Sequence, residues 1–221
     1  GHASFRPAAP SRWATSGLAG QGVEADKAVA VAAGVVEGDL LGHDTHGLAL
    51  LGPYLGKIDD GDLNPSGDIA VFSDMPAALL WDGNKLPGPW LTLQAVAKAS
   101  ERAKEYGTAT VVIRRAGHIA CLAAYLEAPA RDGMLVEIHS SDPSVKSVAP
   151  YGGKQAVFTP NPIGIAIPTG TDPMLVDIST SITTNGMSAR LQAAGERFPG
   201  KWLLDNQGQP TDDPNVFSTD P

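Results

Sequence analysis

Between residues 87 and 138 the chain changes its period three times, and that alternation limits the folds open to it. Pro87-Gly88-Pro89 precedes a helix over about residues 90–106, and Gly107 closes it as a C-cap. Residues 108–113 are β-branched and apolar, which reads as a buried strand. Gly117-His118 then opens a further helix to roughly Arg131, with Pro129 limiting its last turn. Residues 134–138 form the next strand. Helix, strand, helix, strand predicts a βαβ layer, so the class is α/β.

The flanks fill in the rest. Over residues 24–41, Ala28, Val31, Ala32 and Val35 recur at i, i+3, i+4 and i+7, one apolar face of a helix that Gly42 ends. Residues 69–72 and 78–81 read as two short strands, with Asp82-Gly83-Asn84 as a turn. Residues 163–167 and 174–178 are two more strands, 187–194 a short helix, and 202–205 a last strand. Strands without intervening helices point to a mixed sheet. Residues 3–19 are rich in Pro and Ala without clear period and read as an arm, and the chain stops in a loop at Thr219-Asp220-Pro221. No internal repeat or long linker is visible. The expected organisation is an N-terminal helical segment over 1–66, carrying a histidine loop, and a mixed α/β domain over 67–221.

Composition narrows the function. At 43% hydrophobic and 18% charged residues the 221-residue chain is globular rather than disordered. A net charge of −8 argues against nucleic acid and against an anionic membrane surface. No apolar run reaches the roughly 18 residues of a membrane span. The single cysteine, Cys121, excludes an internal disulfide and suits a reducing cytoplasm.

Chemistry-bearing residues gather in a few places. Gly42-His43-Asp44-Thr45-His46-Gly47 sets two histidines and a carboxylate between a helix and a turn-rich loop. Histidine titrates near neutrality and suits acid–base work. His43 and His46 also admit a metal-dependent hydrolase, although a third and fourth ligand must then come from folding. Capping and hydrogen bonding in a loop is the bland alternative. His118 follows a strand at the predicted start of a helix, where ligands bind and anions are favoured. His139-Ser140-Ser141-Asp142-Pro143 and Asp177-Ile178-Ser179-Thr180-Ser181 follow two other strands. Their hydroxyls and carboxylates either bind ribose or phosphate or cap turns. There is no G-x-G-x-x-G, so a standard Rossmann fingerprint is absent, and there is neither a P-loop nor a G-x-S-x-G elbow.

Taken in order, these pieces resemble the type-2 malate/L-lactate dehydrogenase family, over roughly residues 22–215. Asp44-Thr45-His46-Gly47 is similar to the family's Asp-Ser-His-Gly, and Gly117-His118 with Tyr125 to its Gly-His element. Ser141-Asp142-Pro143, Ala149-Pro150-Tyr151-Gly152-Gly153, Asn161-Pro162, Asp177-Ile178-Ser179-Thr180-Ser181, Trp202, Asp205, Gly208 and Thr211-Asp212-Asp213-Pro214 follow in family order. The resemblance implies a non-Rossmann nicotinamide-binding fold. It also implies NAD or NADP as cofactor, hydride transfer on a 2-oxo or 2-hydroxy acid, and a cytoplasmic homodimer. By the same resemblance His46, His118 and Asp177 are catalytic. Ser141, Asp142, Asn161, Asp177, Ile178 and Ser179 meet the cofactor, and Thr45, Leu50 and Tyr54 meet the substrate. No metal is expected. Thr45 stands where the family carries Ser, and Leu50 where many members carry Arg. Nothing matches the family's Gly-His-Lys-Gly-Tyr-Gly segment, so the expectation is a C-terminally truncated chain. The alternative reading is an inactive remnant that only dimerises or binds a ligand.

Overall fold

Small side chains let the first two helices approach closely. In the computed structural model, which describes residues 8–217, α1 (Ala8–Gly20) lies on α2 (Ala25–Leu40). Ala14 and Leu18 of α1 are buried in one cluster with Ala28, Val31, Ala32 and Val35, the stripe expected of α2. The arm expected over residues 3–19 is therefore corrected to a helix from Ala8 onward; residues 3–7 and the terminal loop at 219–221 lie outside the described residues. Packing, rather than any period of its own, makes α1 helical. At the start of α2 the buried Lys27 pairs with Glu24, and its ammonium sits 4.2 Å from the centre of the Trp90 ring. The charge is thus neutralised where it is desolvated.

Beyond Gly42 come two short 3-10 helices, Asp44–His46 and Leu48–Leu50, and then α3 (Leu51–Asp59). Leu51 and Tyr54 of α3 join the α1–α2 cluster. A hairpin follows, β1 (Ala70–Met75) antiparallel to β2 (Ala78–Asp82), with an irregular register between Val71 and Ser73. The crossover helix α4 (Gly88–Tyr106) ends at Gly107, whose φ of 84° suits glycine. It leads to β3 (Thr110–Arg114), parallel to β2. The βαβ unit is therefore β2–α4–β3. The strand expected to be buried is instead edged by solvent, since Thr110, Val112 and Arg114 are exposed and only Val111 and Ile113 are half-buried.

The helix expected from Gly117 to Arg131 is corrected too. Ala120, inside that span, is left-handed at φ 55°, which no helix tolerates. What forms is a 3-10 helix, Leu122–Tyr125, and a single turn, α5 (Glu127–Arg131). The strands β4 (Val136–His139), β5 (Ile163–Ile167) and β6 (Met174–Ile178) make a second three-stranded sheet in that order. The helix α6 (Asn185–Ala194) is capped by Thr184, whose hydroxyl accepts from the Met187 N–H. A two-stranded ribbon, β7 (Leu203–Leu204) with β8 (Pro210–Thr211), follows. The strands fall into two three-stranded sheets and a ribbon, and the first sheet is mixed as expected, β2 being antiparallel to β1 and parallel to β3.

By its contacts the chain divides into two compact units. One is Gly1–Val136 with Ala166–Leu175, the other Glu137–Ile165 with Val176–Pro221. The boundary expected at residues 66–67 falls inside the first. Among the described residues no helix is long and apolar enough to cross a membrane.

Candidate active site

In the first unit the histidine loop is shaped by α2. A Cβ on Gly38 would stand 2.8 Å from the His46 carbonyl oxygen, so only glycine lets the loop approach this closely. The next residue, Asp39, accepts the Leu48 N–H at 3.0 Å and pins the second 3-10 helix. Thr45 Oγ1 lies 2.9 Å from His46 Nδ1, so its hydroxyl orients that ring.

His118 is held from the other side. Its segment runs beneath the start of α4: Gly117 N–H donates to the Leu86 carbonyl at 3.0 Å, and a Cβ on Gly88 would collide with the Gly117 and His118 carbonyl oxygens. The buried Tyr125 donates its hydroxyl to the Ile119 carbonyl at 2.6 Å. Cys121, three residues beyond His118, is only 2% exposed. The histidine itself is exposed. Its ring lies over that of His46, with centroids 5.7 Å apart and 27° between planes.

Tyr54 Oη reaches His118 Nδ1 at 2.9 Å and the His118 carbonyl oxygen at 3.1 Å. Tyr54 is 4% exposed, and burial pushes its phenol well above the usual range, so it stays protonated. The structure thus brings His46, His118, Thr45 and Tyr54 into one neighbourhood. Tyr54 sits under His118 rather than on an open wall. Leu50 packs half-buried against the α1–α2–α3 cluster. No helix start supports His118; the turn that presents it is irregular, and Gly88, the first residue of α4, against which its carbonyls pack, carries no chemical signal in the sequence.

In the second unit an open cleft of about 460 Å³ is lined by His139, Ser140, Ser141, Asn161, Pro162, Ile163 and Thr180. The Ser140 N–H donates to the Pro162 carbonyl at 3.2 Å, which joins the end of β4 to the start of β5. The Thr180 N–H and hydroxyl both donate to the Pro160 carbonyl, at 3.0 and 2.8 Å. Asn161 is left-handed, with φ 45°, and among the described residues its buried Oδ1 has no hydrogen-bond partner. A buried acceptor without a donor is costly, and strain in a non-glycine residue is characteristic of ligand sites.

Of the other expected cofactor contacts, Asp142 Oδ1 accepts the N–H and hydroxyl of Ser144, at 2.9 and 2.6 Å. The Ser179 and Ser181 hydroxyls are 2.6 Å apart. Asp177 and Ile178 end β6, the first half-buried and the second exposed. Ser141 and Asn161 therefore share the cleft, while Asp142 and Ser179 serve their own turns.

A sequence model described as malate/L-lactate dehydrogenase matches residues 6–220. An L-lactate dehydrogenase of Cupriavidus necator is 33% identical over 203 residues, covering 90% of this chain and 58% of its own length. A (2R)-3-sulfolactate dehydrogenase (NADP(+)) of Chromohalobacter salexigens is 32% identical over 211 residues, 92% of this chain and 60% of its own. Among solved structures, malate dehydrogenase from Entamoeba histolytica superposes with a TM-score of 0.90 at 25% identity, covering 95% of this chain and 58% of that one. A dehydrogenase from Sinorhizobium meliloti gives 0.88 at 33% identity, with 96% and 62% covered. The chain spans less than two thirds of the length of these relatives. The metal-dependent hydrolase reading of His43 and His46 finds no counterpart among them. A family match along nearly the whole sequence, with relatives more than 30% identical over about 90% of it, places the chain in the malate/L-lactate dehydrogenase family.

Proposed function

We propose that the protein is an oxidoreductase that moves hydride between a nicotinamide cofactor, NAD or NADP, and a 2-oxo or 2-hydroxy acid. One observation carries the reading: an exposed histidine whose Nδ1 is tied to a buried phenol and whose ring is stacked on a second histidine. A ring fixed at one nitrogen offers the other for proton exchange in a constant direction. His118 is the group that takes the hydroxyl proton in oxidation and returns it in reduction. His46, oriented by Thr45, flanks it. The nicotinamide, when bound, supplies or accepts the hydride.

The cleft of the second unit fits such a cofactor in its donor set. Asn161 Oδ1 calls for a donor, which a ribose hydroxyl provides, and the Ser140, Ser141 and Thr180 side chains line the same cleft. The assignments of Asp142, Asp177, Ile178 and Ser179 to the cofactor, and of Leu50 to the substrate, are part of the same proposal. So is a homodimer, supported by the exposed apolar residues Val71, Phe72 and Met75 on the edge strand β1.

The test is turnover of 2-oxo acids with NADH and with NADPH, in wild type and in His118→Ala. Oxidation of reduced cofactor that depends on the 2-oxo acid is expected, with kcat lowered by about 10²-fold or more in the variant. Wild-type turnover in His118→Ala would remove His118 from the reaction. Absence of turnover with any 2-oxo acid, together with no cofactor binding by titration, would favour the non-catalytic alternative.

A further inference from the structure

We infer that Lys57 binds the carboxylate of the 2-oxo or 2-hydroxy acid, so that a free carboxylate is what separates a substrate from other carbonyl compounds. This rests on the role given to His118 above. In such an acid the carboxylate carbon is bonded directly to the carbon whose oxygen exchanges a proton. Whatever holds the carboxylate therefore stands beside His118. A carboxylate that leaves water needs a cation or several N–H donors in return.

Charge is scarce around His118. Tyr54 stays a neutral phenol, Thr45 offers a hydroxyl, and Leu50 is apolar and packed against the α1–α2–α3 cluster. Among the described residues of the first unit, the lysines and arginines pair with carboxylates, except Arg12 of α1 and Lys57 of α3. Of these two, Lys57 lines a small cavity together with Tyr54 and His118. Its side chain is exposed, and the nearby Asp62 pairs with Lys85, at 3.7 Å. The ammonium is thus left for a ligand.

The backbone fixes where that ammonium starts. Tyr54 and Lys57 are three residues apart in α3, so one side of the helix carries both the phenol bonded to His118 and the lysine. The Lys57 carbonyl accepts the Asp62 and Leu63 N–H groups, at 2.9 and 3.0 Å, which folds the end of α3 back on itself. Leu63 is 5% exposed and lines the same cavity, and a Cβ on Gly117 would stand 2.6 Å from its Cδ1. The chain that closes α3 and the segment that carries His118 are therefore in direct contact. Pro87 and Pro89 complete an apolar wall, against which an unpaired carboxylate is costly. A basic residue in the last turn also suits the helix dipole, but that role would leave the choice of substrate untouched.

The test compares pyruvate with its primary amide, pyruvamide, as oxidants of NADH or NADPH in wild type, Lys57→Gln and Lys57→Arg. Lys57→Gln is expected to raise KM for pyruvate by about 10-fold to 100-fold with kcat little changed, and to leave pyruvamide little affected. Lys57→Arg is expected to recover most of the loss. A second readout needs no turnover. Reductive methylation with ¹³C-formaldehyde keeps the lysine charge, and the Lys57 NMR signal is assigned by its absence in Lys57→Arg. Pyruvate, with cofactor present, is expected to shift that signal, and pyruvamide to leave it in place. Equal KM for pyruvate in wild type and Lys57→Gln, or an equal loss for both compounds, would overturn the inference and hand the carboxylate to another group such as His46. If no 2-oxo acid turns over yet the Lys57 signal shifts with pyruvate alone, the functional reading fails and the carboxylate site stands. Neither turnover nor a shift would overturn both.

Discussion

Asp82 is 1% exposed, at the end of β2, and its carboxylate accepts from Arg115 Nε at 2.9 Å, Arg114 Nε at 2.8 Å and the Asn84 N–H at 2.9 Å. The Arg115 bond first, and then the Asn84 and Arg114 donors, outweigh burial and hold the carboxyl down at about 2. An unfolded aspartate titrates near ~3.9, so the folded state prefers the ionised form more than the unfolded state does. That stabilisation is complete above about pH 4 and is lost as pH falls through about 2. Urea midpoints should fall over that window in wild type. In Asp82→Asn they should start lower at neutral pH and stay flatter, whereas an unchanged acid limb would assign the loss to other carboxylates. Gly88→Ala is the second test at this scale. Its Cβ collides with the His118 and Gly117 carbonyl oxygens, so it should destabilise by roughly 1–3 kcal/mol. The turn carrying His118 should shift with it, and kcat should drop by more than the loss of folded protein explains. His46 and His118 were singled out in the sequence as candidates by residue type and loop position, and the fold stacks their rings 5.7 Å apart. The Tyr54–His118 bond was not, since it joins positions 64 residues apart with no local pattern to announce it.

Helices with a clear stripe and a glycine stop were readable: α2 from its i, i+3, i+4, i+7 pattern, and α4 from Gly107. The strands β5 and β6 were readable as short apolar runs between turn residues. Failure came where tertiary contacts override local preference. In α1, Ala and Gly give no period, and burial of Ala14 and Leu18 against α2 supplies the ordering. In α3, Gly52, Pro53 and Gly56 are poor helix formers, yet Leu51 and Tyr54 anchor the element in the core. The helix expected after Gly117 fails at Ala120, an L-residue in left-handed geometry that sequence alone does not signal. A direct check on local control is α6, whose cap is the Thr184 hydroxyl accepting the Met187 N–H at 3.1 Å. Thr184→Ala should cost about 1 kcal/mol in chemical denaturation, and Thr184→Ser far less. Equal loss in both would show that the methyl group, not the hydroxyl, matters there.

At the level of the whole molecule, β1 leaves Val71, Phe72 and Met75 at 56%, 54% and 60% exposure on a sheet edge, with Arg114 stacked 4.4 Å from the centre of the Phe72 ring. If this face pairs two copies, Val71→Lys with Met75→Lys should convert a dimer to a monomer in sedimentation at micromolar concentration. A double variant that remains dimeric would move the interface elsewhere. The buried Cys121 has a different consequence. It is the only cysteine in the sequence and lies three residues beyond His118. A shielded thiol reacts with a disulfide reagent only when its surroundings part, so the rate of thiol labelling reads the opening of that turn on a clock. Slow, urea-dependent labelling would show that the turn opens only when the surrounding unit unfolds. Fast labelling, insensitive to low urea, would reveal a local breathing motion in the backbone that carries His118.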